Sequence, residues 1–106
     1  MIQADIYTDQ GEKRKIVIDG HAGFDDDGRD IVCAAVSVLA LNTANSVEKF
    51  TEDRFRASED DGYFVLEFTD KISEKSKLLL DSLVLGLTSI RDSYGEEYIN
   101  VNFREV

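Results

Sequence analysis

The chain has 106 residues, 42% of them hydrophobic, with 12 Lys+Arg against 22 Asp+Glu and a formal net charge of −10. That length is one domain, residues 1–106, and a chain of this size buries roughly two-thirds of its unfolded surface, enough to fold without staples. The acidic balance argues against nucleic acid and anionic membranes as partners and favours cationic ones, although a solvated acidic surface is the plainer alternative.

One Cys excludes an internal disulfide, and with one His there is no cluster for zinc; no metal or cofactor is expected, and a reduced, cytoplasmic compartment follows. The N-terminus lacks the basic start and apolar core of a signal peptide. No apolar run approaches the roughly 20 residues that span a bilayer.

Residues 1–9 alternate, with Ile2, Ala4, Ile6 and Thr8 against Gln3, Asp5 and Tyr7, which is the period of a half-buried strand. Asp9-Gln10-Gly11-Glu12 reads as a turn, and residues 13–19 as a second strand with Ile16 and Ile18 on one face. Together they predict a hairpin that delivers Gly20 and His21 at its end. The next segment is Ala22, Gly23, Phe24, Asp25, Asp26, Asp27, Gly28 and Arg29. Adjacent like charges and two glycines predict a mobile loop. A calcium loop does not fit, because Arg29 takes a ligand position and no Glu closes the pattern.

Asp30 precedes an apolar, helix-compatible run and serves as N-cap, which puts Cys33 at the third helical position. This helix reaches about Phe50, and its first three turns are apolar nearly all round. That predicts burial against the sheet and a second subunit, hence a homodimer. Strands at 54–58 and 63–68 flank Glu59-Asp60-Asp61-Gly62, a hairpin signal. A second helix over 71–93 carries Ile72, Leu79, Leu83, Leu87 and Ile90 at helical spacing, with Leu78, Leu80 and Leu85 widening the stripe. Gly86 inside it predicts a close approach to another element. A last strand covers 98–104. The order ββαββαβ predicts an α+β two-layer sandwich, a five-stranded mixed or antiparallel sheet with two helices.

The only His and the only Cys lie twelve residues apart, across this loop. A free thiol has a pKa near 8.5, and a place in the first turn of a helix sets it against the positive end of the dipole and unpaired amides, which favour the thiolate. A nearby imidazole can take the thiol proton and return one to a leaving amine. Free N–H groups at the helix start can also hold an oxyanion. Ser37 lies one turn after Cys33, where its hydroxyl can reach the sulfur or the ring, and the Asp30 carboxylate can orient His21. The bland alternative is a Cys that packs as a small hydrophobe beside a solvated loop His.

At Gly20-His21, and again at Gly28-Arg29-Asp30-Ile31-Val32-Cys33-Ala34-Ala35-Val36-Ser37, the chain resembles the ribosomal-processing cysteine protease family (Prp). That family shows Gly-His, a variable loop, and then Gly-x-Asp-Ile-Val-Cys-Ala-Ala-Val-Ser. The resemblance implies a single cysteine protease domain with Cys33 as nucleophile and His21 as general base. It puts Gly20, Asp30 and Ser37 in supporting positions, and makes the segment from Ala22 to Arg29 a loop that orders over bound peptide. It further implies a homodimer whose substrate is the basic and apolar N-terminal extension of bacterial ribosomal protein L-twenty-seven, cut after an aromatic residue. One departure is Tyr94-Gly95-Glu96-Glu97-Tyr98, where many relatives carry Pro. The rival readings are a non-catalytic ribosome-assembly or protein-interaction module, and a thiol hydrolase acting on a small acyl substrate.

Overall fold

The structure, a computed structural model, describes residues 1–26 and 29–106. Its elements run β1 (Ile2–Asp9), β2 (Glu12–Asp19), α1 (Ile31–Phe50), β3 (Phe55–Asp60), β4 (Tyr63–Phe68), α2 (Glu74–Tyr94) and β5 (Ile99–Glu105). The five strands form one sheet in the order β3-β4-β2-β1-β5. Three pairings are antiparallel, and β5 runs parallel to β1, with Ile2 opposite Ile99 and Thr8 opposite Glu105. The predicted α+β sandwich with a mixed sheet is therefore present.

Alternation decides which face the helices cover. Ile2, Ala4, Ile6, Ile16, Ile18, Phe64, Leu66, Phe68 and Ile99 are buried on one side of the sheet. Each fully buried large side chain of this kind contributes about 1.5–3 kcal/mol relative to an exposed one. The opposite face is polar: Asn102 donates to Gln3 Oε1 and Asp5 Oδ1, and Arg104 Nε donates to Asp5 Oδ1 at 3.1 Å.

The helices pack on each other as well as on the sheet. A Cβ at Gly86 would lie 2.7 Å from Leu39 Cδ1, so the glycine permits the α1–α2 approach that its position in the sequence suggested. Helix α2 starts at Glu74, later than its apolar pattern implied, because Ser73 caps it by accepting the Ser76 N–H. Its core stripe is Ser76, Leu80, Leu83 and Leu87, spaced four, three and four residues apart. Leu78 and Leu85 fall off that stripe and are 70% and 68% exposed, so they do not widen it.

Helix α1 corrects two expectations. By length and composition it is long and apolar enough to cross a membrane, although its Val32, Val36, Ala40, Thr43, Ala44 and Val47 side is buried inside this fold, as a core helix would be. It is also not buried on most sides, because the sheet and α2 cover a single face. Ile31, Val38 and Leu41 point outward at 52%, 66% and 41% exposure. Strand β3 runs on to Asp60, which shortens its connection to β4 to the pair Asp61-Gly62.

Candidate active site

The imidazole is delivered by the end of β2. Asp19, the last residue of that strand, lies opposite Tyr63 of β4. Gly20 continues the pairing by donating its N–H to the Gly62 carbonyl at 2.8 Å. Its φ of +103° lies in the region that favours glycine, and a Cβ there would run into the Met1 carbonyl oxygen. Gly20 thus holds the backbone turn that releases His21 from the sheet. The exposed His21 ring sits beside the β3–β4 turn, with Nε2 3.8 Å from Asp61 Oδ1.

The thiol is delivered by the start of α1. Asp30 Oδ1 accepts the Cys33 N–H at 3.0 Å, and Oδ2 accepts the Phe24 N–H at 2.9 Å. Its backbone carbonyl accepts the Ala34 N–H at 3.0 Å. Burial pushes the Asp30 carboxyl up, but the amides of Cys33, Phe24 and Asp25 and the Cys33 thiol outweigh it and hold the group below its ordinary value. Asp30 therefore ties the helix start to the preceding loop. Its oxygens serve backbone amides, and among the described residues no hydrogen bond joins it to the His21 ring. The same bonds occupy the N–H groups of Cys33 and Ala34, which removes those two from the set of helix-start amides expected to hold an oxyanion.

The loop approaches the thiol directly. Ala22 is buried, and its N–H donates to Cys33 Sγ at 3.1 Å. A donor aimed at the sulfur stabilises negative charge there, in the same sense as the helix N-terminus. The loop has a second anchor at Phe24, whose ring meets the edges of Tyr94 and Tyr98 at centroid distances of 5.4 and 5.1 Å. Such aromatic pairs contribute about 0.5–1.5 kcal/mol beyond their buried area. Of the expected gating loop, Asp27 and Gly28 lie outside the described residues.

Gly20, His21, Asp30, Cys33 and Ser37 all line one cavity of about 370 Å³. Ile2, Ile18, Val36, Ala40 and Phe64 contribute apolar wall, while Asp25 and Glu59 contribute carboxylates; among the described residues no Lys or Arg lines it. Ser37 is exposed into this space, one turn along from Cys33. Glu59, Gly62 and Tyr63 also line it, and the sequence reading did not place them at the site. Their hairpin is legible, but nothing local shows that β4 pairs with β2 and so brings the turn under His21.

A half-buried thiol at a helix start, an amide on its sulfur and an imidazole at the same cavity describe a thiol hydrolase built on an α+β sandwich. Residues 1–100 match the family model for cysteine protease Prp. The chain is 31% identical over 107 residues to the ribosomal processing cysteine protease Prp of Staphylococcus aureus, covering 98% of this chain and all of that one. The Bacillus subtilis protein of the same name is 32% identical over 81 residues, 71% of this chain and 72% of its own. The crystal structure of Staphylococcus aureus Prp in complex with a covalently linked product peptide is 31% identical, superposes with a TM-score of 0.91, and is covered completely by 98% of this chain. Its complex with a substrate peptide superposes with a TM-score of 0.85 at 30% identity and the same coverage. The chain belongs to the Prp family and is a cysteine protease.

Proposed function

We propose that this enzyme removes the N-terminal extension of bacterial large-subunit ribosomal protein L-twenty-seven during ribosome maturation, with Cys33 as nucleophile and His21 as general base and acid. The observation that carries the assignment of residues is the Ala22 N–H bond to Cys33 Sγ, which holds the His21 backbone against the thiol at the mouth of the cavity. The names of the bacterial relatives supply the substrate class, ribosomal processing, and the Staphylococcus aureus structures hold peptides.

In this reading His21 takes the proton from Cys33 Sγ, and the thiolate attacks the scissile carbonyl carbon. The tetrahedral oxyanion collapses to a thioester as the imidazolium gives its proton to the leaving amine. Water then attacks the thioester, His21 takes its proton, and the acid product leaves as the thiol is restored. The apolar wall suits an aromatic side chain ahead of the cut. Asp25, Glu59 and the net charge of −10 draw in a basic peptide.

The outward stripe of α1, with Ile31, Val38 and Leu41, pairs with a second copy to make a homodimer, and a single Cys in the chain suits the reducing cytoplasm. Val38→Glu is expected to convert the dimer to a monomer in light scattering; an unchanged mass overturns the dimer surface. Cleavage of a synthetic extended ribosomal-protein peptide tests the activity. Cys33→Ala is expected to abolish it with the circular dichroism spectrum retained. Equal cleavage by wild type and Cys33→Ala removes Cys33 from the mechanism.

A further inference from the structure

Two hairpin turns in this chain have positive φ at both of their central residues. Gln10-Gly11 between β1 and β2 has φ of 51° and 79°, and Asp61-Gly62 between β3 and β4 has φ of 29° and 79°. Their surroundings differ. A Cβ at Gly11 would meet nothing within 4 Å. A Cβ at Gly62 would lie 2.7 Å from His21 Nε2, 2.9 Å from His21 Cε1 and 3.3 Å from the Gly20 carbonyl oxygen. The His21 ring therefore occupies the space that any side chain at position 62 would fill.

The backbone on both sides of this contact is tied, because the Gly62 carbonyl accepts the Gly20 N–H. A side chain at 62 cannot push the strands apart without breaking that bond, so the exposed imidazole is the part that yields. The fold tolerates that movement, but proton transfer depends on ring position to a fraction of an ångström.

We propose that Gly62 is a positioning residue of the protease: lacking a side chain, it seats the His21 imidazole against the β3–β4 turn, at the cavity that Cys33 also lines. This rests on the reading of His21 as general base. Gly11 supplies the matched control, since substitution there carries the same left-handed backbone strain with nothing displaced.

The test is steady-state cleavage of the extended peptide by the full chain carrying Gly62→Ala, Gly11→Ala or His21→Ala. It is accompanied by the rate of Cys33 alkylation with iodoacetamide and by thermal unfolding. Gly62→Ala is expected to lower kcat on the order of 10²-fold with little change in KM, and to slow alkylation toward the His21→Ala rate. Gly11→Ala is expected to match its drop in Tm while leaving kcat within about twofold. A loss of kcat at Gly62→Ala no larger than at Gly11→Ala overturns the seat. If Gly62→Ala does not fold, Gly62→Asn and Gly11→Asn replace the pair, because Asn adopts the left-handed region at lower cost with the same Cβ. Full activity in His21→Ala removes the underlying reading. An inactive His21→Ala with equal effects at the two glycines removes the seat alone.

Discussion

Each helix begins with an oxygen-bearing cap and a small residue of nucleophile type three positions on: Asp30 and Cys33 at α1, Ser73 and Ser76 at α2. In both cases the cap accepts the amide of that third residue, at 3.0 Å for Cys33 and 3.3 Å for Ser76. Each start also involves a carboxylate, which at α1 is the cap Asp30 itself. At α2 this is Asp53, which accepts the Ser73 N–H at 3.0 Å and the Ser73 hydroxyl at 2.7 Å. Local chemistry is therefore nearly the same at the two ends.

What surrounds them is not. Cys33 is half-buried, takes the Ala22 N–H on its sulfur and opens onto the cavity. Ser76 is sealed in the core, and its hydroxyl makes no hydrogen bond of good geometry among the described residues. It still lies close enough to Asp53 to favour the ionised carboxylate. Burial raises the Asp53 carboxyl, but Ser76, then Ser73, outweigh it and hold the group below its ordinary value. The comparison teaches that a nucleophile at a helix start becomes a site only where the tertiary structure leaves it a cavity and a base.

The largest expected contrast is catalytic. Cys33→Ala should reduce peptide cleavage to background, whereas Ser76→Ala should leave kcat/KM within about twofold, since its hydroxyl faces no substrate space. Comparable losses in the two variants, measured in one assay, would break the distinction between them.

The caps come next. Asp30→Ala and Ser73→Ala should each cost about 1–2 kcal/mol in urea unfolding, the range for a lost cap. Only Asp30→Ala frees the Phe24 amide and the loop beside the thiol, so it alone should also lower kcat/KM, by about tenfold or more. Activity unchanged in Asp30→Ala would show that the loop tether does not serve the site.

The smallest effect is the acid response. Both carboxyls sit below the ordinary value of 3.8 in the folded chain. Their contribution is therefore fully present above that value and is lost as pH falls through the lowered folded values. Tm measured as a function of pH should fall less steeply below about pH 4 in Asp53→Asn than in wild type. Parallel curves would remove Asp53 from the acid response.

The order of elements was legible because it rests on local periodicity and on residues that act within a turn. The alternation of Ile2, Ala4 and Ile6 marks β1, and Asp30 marks the start of α1 and so the place of Cys33. The Asp61-Gly62 turn was legible as a turn, but not as the neighbour of His21. That adjacency comes from β4 pairing with β2, strands separated in the chain by a whole helix. Leu78 and Leu85 read as core because hydrophobicity alone does not say which side of α2 meets the sheet. The outward stripe of α1 stayed hidden for the same reason. Asp30 read correctly as a cap, yet its second oxygen, committed to Phe24, depends on how the loop returns.

The sequence by itself determined the strands and helices, the acidic charge, and the thiol's place in the first turn of a helix, because each depends on residues within a few positions of one another. Only the tertiary structure decided that Cys33 rather than Ser76 faces a cavity, that Ala22 donates to the sulfur, and that Gly62 lies beneath His21. Those outcomes depend on sheet order and helix packing, which sum many weak contacts between distant residues.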